Sequence, residues 1–182
     1  MIRIDDYEQL KTRIVNWIKD YYWKYNIKAL VVGVSGGIDS AVVSTLCAET
    51  GLPTYVVAMP LNSTHQNTRL SDLHTKQLAE KYENVTRVEV ELSSVYDSLI
   101  HSINWWSEAQ QFDKKEFTSD ELANANTKSR IRMVTLYQIA GAKNGIVVGT
   151  GNKVEDYGIG FYTKYGDGGV DIAPIADLYK TE

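Results

Sequence analysis

The sequence of 182 residues predicts an α/β fold: a doubly wound parallel sheet with helices on both faces, Rossmann-like in layout. Three observations carry that expectation. Short continuous apolar runs rich in β-branched residues, "IKALVVGV" (27–34), "TYVVAM" (54–59) and "GIVVG" (145–149), have the pattern of strands buried on both faces. Segments with apolar residues three and four apart separate those runs, as helices between parallel strands require. Finally, "VSGGIDS" and "VGTGNKVED" each follow an apolar run directly. In open parallel sheets ligands bind beyond the carboxyl ends of strands, where strand order switches, so these two segments are expected as neighbours at one rim.

Taken in order, residues 5–25 carry Leu10, Ile14, Trp17, Ile18 and Tyr21 at helical spacing and form an amphipathic helix. The first strand follows, and "SAVVSTLCAE" returns to helix until Gly51 and Pro53 end it. "TYVVAM" is the second strand, terminated by Pro60. Leu70 to Tyr82 reads as helix, and "VTRVEVEL" alternates as a third strand. Ser93 to Phe117 is expected to be helical with a break near "QQFDKKE". Ser119-Asp120-Glu121 opens a long helical pattern to Lys143, which "NANTKS" divides in two on one reading, and Gly145 ends it. "GIVVG" is the fourth strand, and a glycine-rich region runs through Gly169. The final "ADLYKTE" has the character of a helix start with no C-cap glycine, so a form shortened at this end is expected.

The length fits one domain over 1–182. Nineteen Lys and Arg against 23 Asp and Glu leave a net charge of −4 with the basic residues scattered, which argues against a nucleic-acid partner. A single cysteine, Cys47, excludes an intramolecular disulfide and fits a reducing compartment. It falls among Val42, Val43 and Leu46 and reads as core, not as a nucleophile. No apolar stretch approaches a membrane span and the first residues lack a signal-peptide core, so a cytoplasmic protein with no membrane partner is expected. His65, His74 and His101 have no ligand spacing. Trp105-Trp106 reads as packing or interface, and Asp120 and Glu121 as a helix start.

The stretch "VVGVSGGIDSAVV" (31–43) concentrates the chemistry. Gly36 and Gly37 remove Cβ atoms where strand turns into helix, and successive backbone N–H groups there form an anion nest at a helix N-terminus. Ser35 and Ser40 add hydroxyls. The turn lacks both GxxxxGK[ST] and GxGxxG, and Asp39 stands where a phosphate-binding loop carries lysine. A carboxylate about 4 Å from a phosphate oxygen costs about 4 kcal/mol at an effective dielectric of 20. A divalent cation between the two reverses that sign, and Mg²⁺ favours mixed carboxylate–phosphate shells. The competing reading makes Asp39 a helix cap.

SGGxDS after the first strand resembles the pyrophosphate loop of the N-type ATP pyrophosphatases, the PP-loop superfamily with its adenine nucleotide alpha-hydrolase-like fold. That loop alone leaves GMP synthetase, asparagine synthetase and tRNA-modifying enzymes open, though no basic RNA surface or cysteine pair supports the last. "NTKSRIRMVTLYQIAG" and "VVGTGNKVEDYGIGFYTKYGDGGVDIAPIADLYK" follow it in the order found in ammonia-dependent NAD synthetases, and the resemblance covers most of 29–180. It implies a ligase that amidates deamido-NAD with ammonia, using ATP and Mg²⁺, through an adenylated intermediate with release of AMP and pyrophosphate. It also implies a homodimer. The glutamine-dependent relatives carry an extra amidase domain absent here, so ammonia is the expected nitrogen source. A different class, a nucleotide-binding dimer module without turnover, is the alternative.

The resemblance assigns Gly33, Ser35, Gly36, Gly37, Asp39, Ser40, Thr150 and Lys180 to ATP. Arg130, Lys164 and Asp171 go to deamido-NAD, and Asp39 with Glu155 to Mg²⁺. Relatives often have one residue fewer after this glutamate, so Asp156 is the alternate ligand. No side chain is expected as a nucleophile; Asp39 and Lys180 act on transition-state charge. Arg130 and Arg132 lie two apart, about 200° around a helix, so only one can face a given site. Arg130 shares its face with Asn126, and Arg132 shares one with Lys128. Arg132 and Lys128 are expected to be solvated helix charges, and Lys180, two residues from the end, has mobile solvation as its competing reading. Helices at 5–25 and around Arg130 are the candidate dimer elements.

Overall fold

Four strands pair in parallel in the order β3-β2-β1-β4: β1 (Leu30–Val34), β2 (Thr54–Ala58), β3 (Val85–Glu89) and β4 (Ile146–Val148). The computed structural model describes residues 6–62, 65–111, 113 and 117–182, except the side chains of 65–67. Its helices are α1 (Tyr7–Lys24), α2 (Ile38–Glu49), α3 (His65–Lys81), α4 (Ser93–Ala109) and α5 (Glu121–Ala142), followed by a π-helical segment, Val154–Ile159. This is the doubly wound parallel arrangement that the apolar runs predict. Among the described residues no helix is long and apolar enough to cross a membrane.

Strand alternation sorts the helices onto two faces. Leu30 and Val32 of β1 and Val148 of β4 pack with Ile18 and Tyr22 of α1 and with Val43, Leu46 and Cys47 of α2. Val34 and Val56 continue that layer against Leu78 of α3. Val31, Val57 and Val147 point the other way, onto Tyr96 of α4 and onto Met133, Leu136 and Ala140 of α5. Cys47 is fully buried in the first layer, and loss of hydration pushes its thiol up to about 12, as suits a core residue.

Several boundaries differ from the sequence reading, each for a physical reason. α3 starts at His65, before the first apolar position of its pattern, because the periodicity carries no signal over the polar "HQNTR". β3 ends at Glu89, but Val90 N and Leu92 N still donate to Ala58 O and Pro60 O at 2.9 and 2.8 Å. α5 runs unbroken through "NANTKS": Asn124 Nδ2 donates to Thr118 O, Thr127 Oγ1 to Ala123 O, and Asn126 Oδ1 accepts from Thr163 Oγ1. With the two asparagines occupied by partners outside the helix, their competition with the helix backbone is removed, while Thr127 bonds back within it. Asp120 is the N-cap of α5, accepting from Ala123 N at 2.6 Å. The expected break at "QQFDKKE" begins after Ala109, and residues 112 and 114–116 lie outside the description.

The final segment is a correction: "ADLYKTE" forms successive turns instead of starting a helix. Leu178 N and Glu182 N donate three residues back, to Ile175 O and Tyr179 O, while Leu178 O is taken by Lys153 N at 2.9 Å. A tertiary bond thus occupies a carbonyl that a helix needs. Ahead of it, residues 171–172 extend the sheet beyond β4. Asp171 N donates to Val147 O, Gly149 N donates to Ile172 O, and Val148 bridges Ile172 in parallel.

β4 approaches β1 closely at its start. A Cβ on Gly145 would lie 2.6 Å from Ala29 O and 2.9 Å from Ala29 Cβ, whereas one on Gly141 in α5 meets nothing within 4 Å. Gly145→Ala is therefore expected to destabilise the protein by about 1–3 kcal/mol through overpacking. Gly141→Ala is expected to stabilise it by about 0.5–1 kcal/mol through helix propensity. Urea unfolding of the two variants checks both signs.

Candidate active site

The strand order turns back at β1: β2 and β3 extend the sheet on one side and β4 on the other. The segments leaving β1 and β4 therefore emerge side by side at the carboxyl rim, as expected for a ligand crevice.

Gly37 is the N-cap of α2, in extended conformation and with no side-chain cap bond, and Gly36 has φ +87, a left-handed value that favours glycine. Asp39 sits in the first turn of α2 and caps nothing. The serines tie the turn together. Ser40, almost wholly buried, accepts from Ser35 N at 3.2 Å and donates to Gly37 O at 2.9 Å, and Ser35 Oγ accepts from Gly37 N at 3.2 Å. From α3, Ser71 Oγ donates to Val34 O at 2.7 Å and holds the end of β1.

The feature that joins the predicted residues is Lys180. Its Nζ lies 3.0 Å from Asp39 Oδ2 and 3.0 Å from Glu155 Oε1, so three segments distant in sequence meet at one cation. Hydrogen bonds to Glu155 and then Asp39 raise the Lys180 pKa from its ordinary value. The reading of Lys180 as a mobile, solvated end is thus not the arrangement seen. The two carboxylates converge on a single point with the oxygen donors that Mg²⁺ accepts, so this pair fits a divalent ion sharing its shell with phosphate. Among the described residues no group of three or more His, Cys, Asp or Glu forms a metal cluster.

Asp156 looks elsewhere. Its carboxylate packs so tightly over Gly151 that a Cβ there would fall 2.1 Å from Oδ2. Burial, followed by the charges of Asp167 and Glu155, raises its pKa. Of the two candidate ligands, Glu155 is the one facing Asp39 across Lys180.

Beside the turn lies a cavity of about 390 Å³ whose lining includes Gly33, Ser35, Met59, Arg132 and Thr150. Arg132 is a correction. Far from being a solvated charge, it is half-buried on the cavity wall, its Nε donates to Met59 O at 3.3 Å, and burial lowers its pKa. Lys128, on the same face, lies 5.0 Å from the centre of the Tyr96 ring. Sequence spacing placed the two arginines apart correctly, but which face the sheet covers is a tertiary fact.

Arg130 faces the glycine-rich loop instead: its Nε donates to Lys164 O at 3.1 Å, and Asn126 on the same face engages Thr163. Ser129 Oγ donates to Asp167 Oδ1 at 2.8 Å and accepts from Asp167 N. Asp167 and Ser129, which sequence reading passed over, thereby anchor the loop on α5; the only signal was the aspartate inside "YGDGG". Lys164 Nζ lies over the Tyr165 ring. Asp171 Oδ2 accepts from Val147 N at 2.7 Å, so one of its oxygens serves the edge of β4. Its charge adds to burial in raising the Tyr137 phenol to about 12.

The raised Lys180 pKa has a stability consequence with a definite sign. A lysine whose folded pKa lies above the unfolded value stabilises the fold below about the ordinary 10.5 and loses that contribution as pH rises through the folded value. Lys180→Met is expected to lower stability by up to about 1 kcal/mol at neutral pH, as half-exposed ion pairs do. Urea unfolding against pH is expected to show the gap from the parent protein closing above 10.5.

Known proteins resemble this chain in sequence and in fold. The family model for NAD synthase matches residues 10–182. The NH(3)-dependent NAD(+) synthetase of Carboxydothermus hydrogenoformans is 36% identical over 179 residues, covering 97% of this chain and 68% of that protein. The enzyme of the same name from Methanosarcina acetivorans is 36% identical, covering 97% of this chain and 64% of its own length. NMN synthetase from Francisella tularensis superposes with a TM-score of 0.81 at 32% identity, covering 96% of this chain and 66% of that one. The chain therefore spans about two thirds of the length of the relatives it matches. With a family match over nearly all of its residues, the chain belongs to the NAD synthase family.

Proposed function

We propose that this chain, as part or whole of its protein, amidates deamido-NAD to NAD with ammonia, driven by cleavage of ATP to AMP and pyrophosphate. The convergence of Asp39, Glu155 and Lys180 beside the Ser-Gly-Gly turn and the cavity carries this reading. The names of the relatives from Carboxydothermus hydrogenoformans and Methanosarcina acetivorans support ammonia as the nitrogen donor.

On this reading the nicotinate carboxylate oxygen attacks the α-phosphorus, the bond to the β-phosphate bridging oxygen breaks, and pyrophosphate leaves. Ammonia then attacks the activated acyl carbon, AMP departs, and the nitrogen loses a proton to give the amide. A carboxylate is a poor acyl donor because it has no good leaving group, and adenylation supplies one. The protein's work is orientation and charge neutralisation. The backbone of the Ser-Gly-Gly turn cradles the departing pyrophosphate at the N-terminus of α2, the amides of Ser35 and Gly37 exchanging their 3.2 Å bonds to serine hydroxyls for phosphate oxygens. Ser40 keeps that turn in shape, since its hydroxyl proton is held by Gly37 O. Lys180 exchanges carboxylate for phosphate partners when the nucleotide arrives. Thr150 and Arg132 line the cavity, whose volume suits the nucleoside portion of ATP. Arg130, Lys164 and Asp171 orient the dinucleotide.

Asp39 and Glu155 are the residues to hold Mg²⁺. Such an ion supplies neutralisation of the charge gathering on the leaving pyrophosphate. The reading extends to a homodimer, supported by exposed Trp17 and Trp23 on α1 and by Val134 and Tyr137 on α5.

A second reading, amidation of the mononucleotide, is favoured by the likeness to the Francisella tularensis NMN synthetase. Incubating the protein with ATP, Mg²⁺ and ammonium, and with either deamido-NAD or nicotinic acid mononucleotide, separates the two by chromatography of the products. Equal amounts of AMP and NAD are expected from the dinucleotide. Faster turnover of the mononucleotide selects the second reading, and ATP binding with no AMP from either substrate overturns both. In the same assay Asp39→Asn is expected to reduce AMP release about 100-fold or more, the usual loss when a group acting on transition-state charge is removed.

A further inference from the structure

Asn152 is among the most deeply buried polar side chains, 1% exposed at the end of the loop leaving β4. Its Oδ1 accepts two bonds, from Val154 N at 3.0 Å and Glu155 N at 3.1 Å, and its own carbonyl accepts from Asp156 N at 3.0 Å. Those two amides open the π-helical segment, where a helix's first N–H groups have no partner of their own. One side-chain oxygen therefore holds the backbone of Glu155 in place. Among the described residues no acceptor meets Asn152 Nδ2. A buried donor left without an acceptor is unfavourable, and an apolar side chain of similar size avoids it. What leucine lacks is the oxygen, so the oxygen is the reason for an amide here.

The surroundings show what that oxygen achieves. Lys153 N donates to Leu178 O at 2.9 Å, so the same short loop also anchors the chain just before Lys180. Phe161 N donates to Glu155 O at 2.7 Å and Gly160, at φ +71, donates there too, closing the far end of the π-helical segment on Glu155 itself. π-helical turns accommodate one residue beyond the α-helical count. With Asp156 packed on Gly151, Glu155 presents its carboxylate to Lys180 opposite Asp39.

We propose that Asn152 is a positioning residue: through two backbone amides it sets the Glu155 carboxylate opposite Asp39, where the cation accompanying ATP is held. This rests on the reading of Glu155 as a ligand for that cation. Outer partners that orient a metal ligand are commonly worth tenfold to a hundredfold in metal affinity, although they never touch the metal.

The test uses Mn²⁺ as the probe, its affinity measured by electron paramagnetic resonance with a non-hydrolysable α,β-methylene ATP present, so turnover is not needed. Asn152→Leu is expected to weaken Mn²⁺ binding about tenfold or more. Its unfolding midpoint is expected to stay close to that of the parent, and amide hydrogen exchange at Val154 and Glu155 to accelerate. Asn152→Ser, which keeps an oxygen, is expected to recover most of the affinity. Glu155→Gln is expected to weaken binding to a similar degree, with Asn152→Leu adding less than about twofold on top of it, as residues acting through one contact do. Unchanged Mn²⁺ affinity in Asn152→Leu, or fully multiplicative losses in the double variant, overturns the proposal while leaving Glu155 as a ligand. Unchanged affinity in Glu155→Gln overturns the cation reading and the role of Asn152 with it. Should the leucine variant not fold, Asn152→Ala against Asn152→Ser makes the same comparison.

Discussion

Everything at the rim depends on β4 pairing with β1 instead of extending the sheet beyond β3. That parallel pairing, Leu30 to Ile146 through Val32 to Val148, places the end of β4 beside the end of β1 although more than a hundred residues separate them. The Ser-Gly-Gly turn with Asp39 and the loop with Glu155 then leave adjacent strands in the same direction. Had β4 joined the other edge, two strands would separate the carboxylates, and no side chain spans that distance. The close approach of Gly145 to Ala29 and the sheet-edge bonds of Asp171 and Ile172 serve the same pairing.

That juxtaposition creates an electrostatic problem, which Lys180 answers. Oxygens of Asp39 and Glu155 that each lie 3.0 Å from one nitrogen are at most about 6 Å from each other. Their repulsion at that separation is about 0.7 kcal/mol in water and about 3 kcal/mol at an effective dielectric of 20. The ammonium between them reverses the sign and holds the pair together. The two carboxylates are thereby arranged around positive charge, and Asp39 is intelligible in a turn otherwise suited to anions. Around this centre the side chains divide their labour. Ser40, Ser71 and Asn152 shape backbone, Arg132 lines the cavity, and Arg130, Ser129 and Asp167 tie the glycine-rich loop to α5.

Arg130 and Arg132 show how far sequence reasoning reaches. Their separation around the helix follows from spacing alone, and both point where that geometry sends them. Assigning solvent to Arg132 failed because α5 is polar enough that its sequence pattern does not reveal how much of it faces the sheet. The continuity of α5 through "NANTKS" was hidden for a related reason: its asparagines look like helix breakers until their partners Thr118 and Thr163 are in place. Likewise Glu155 and Asp156 are adjacent acids in sequence, and only the π-helical segment and the packing of Asp156 on Gly151 separate their directions.

The amino-acid order by itself determined the fold class, the four strands, the burial of Cys47 and the composition of the turn, because these follow from local periodicity, glycine and short-range spacing. It also carried the family resemblance, since that resides in contiguous motifs. Only the tertiary structure decided that Lys180 lies between Asp39 and Glu155, that Arg132 enters a cavity, and that the chain beyond Ile175 turns instead of coiling into a helix. Each of those depends on groups far apart in sequence competing for one hydrogen bond or one charge. Such a competition is settled by distance in space, which periodicity does not encode.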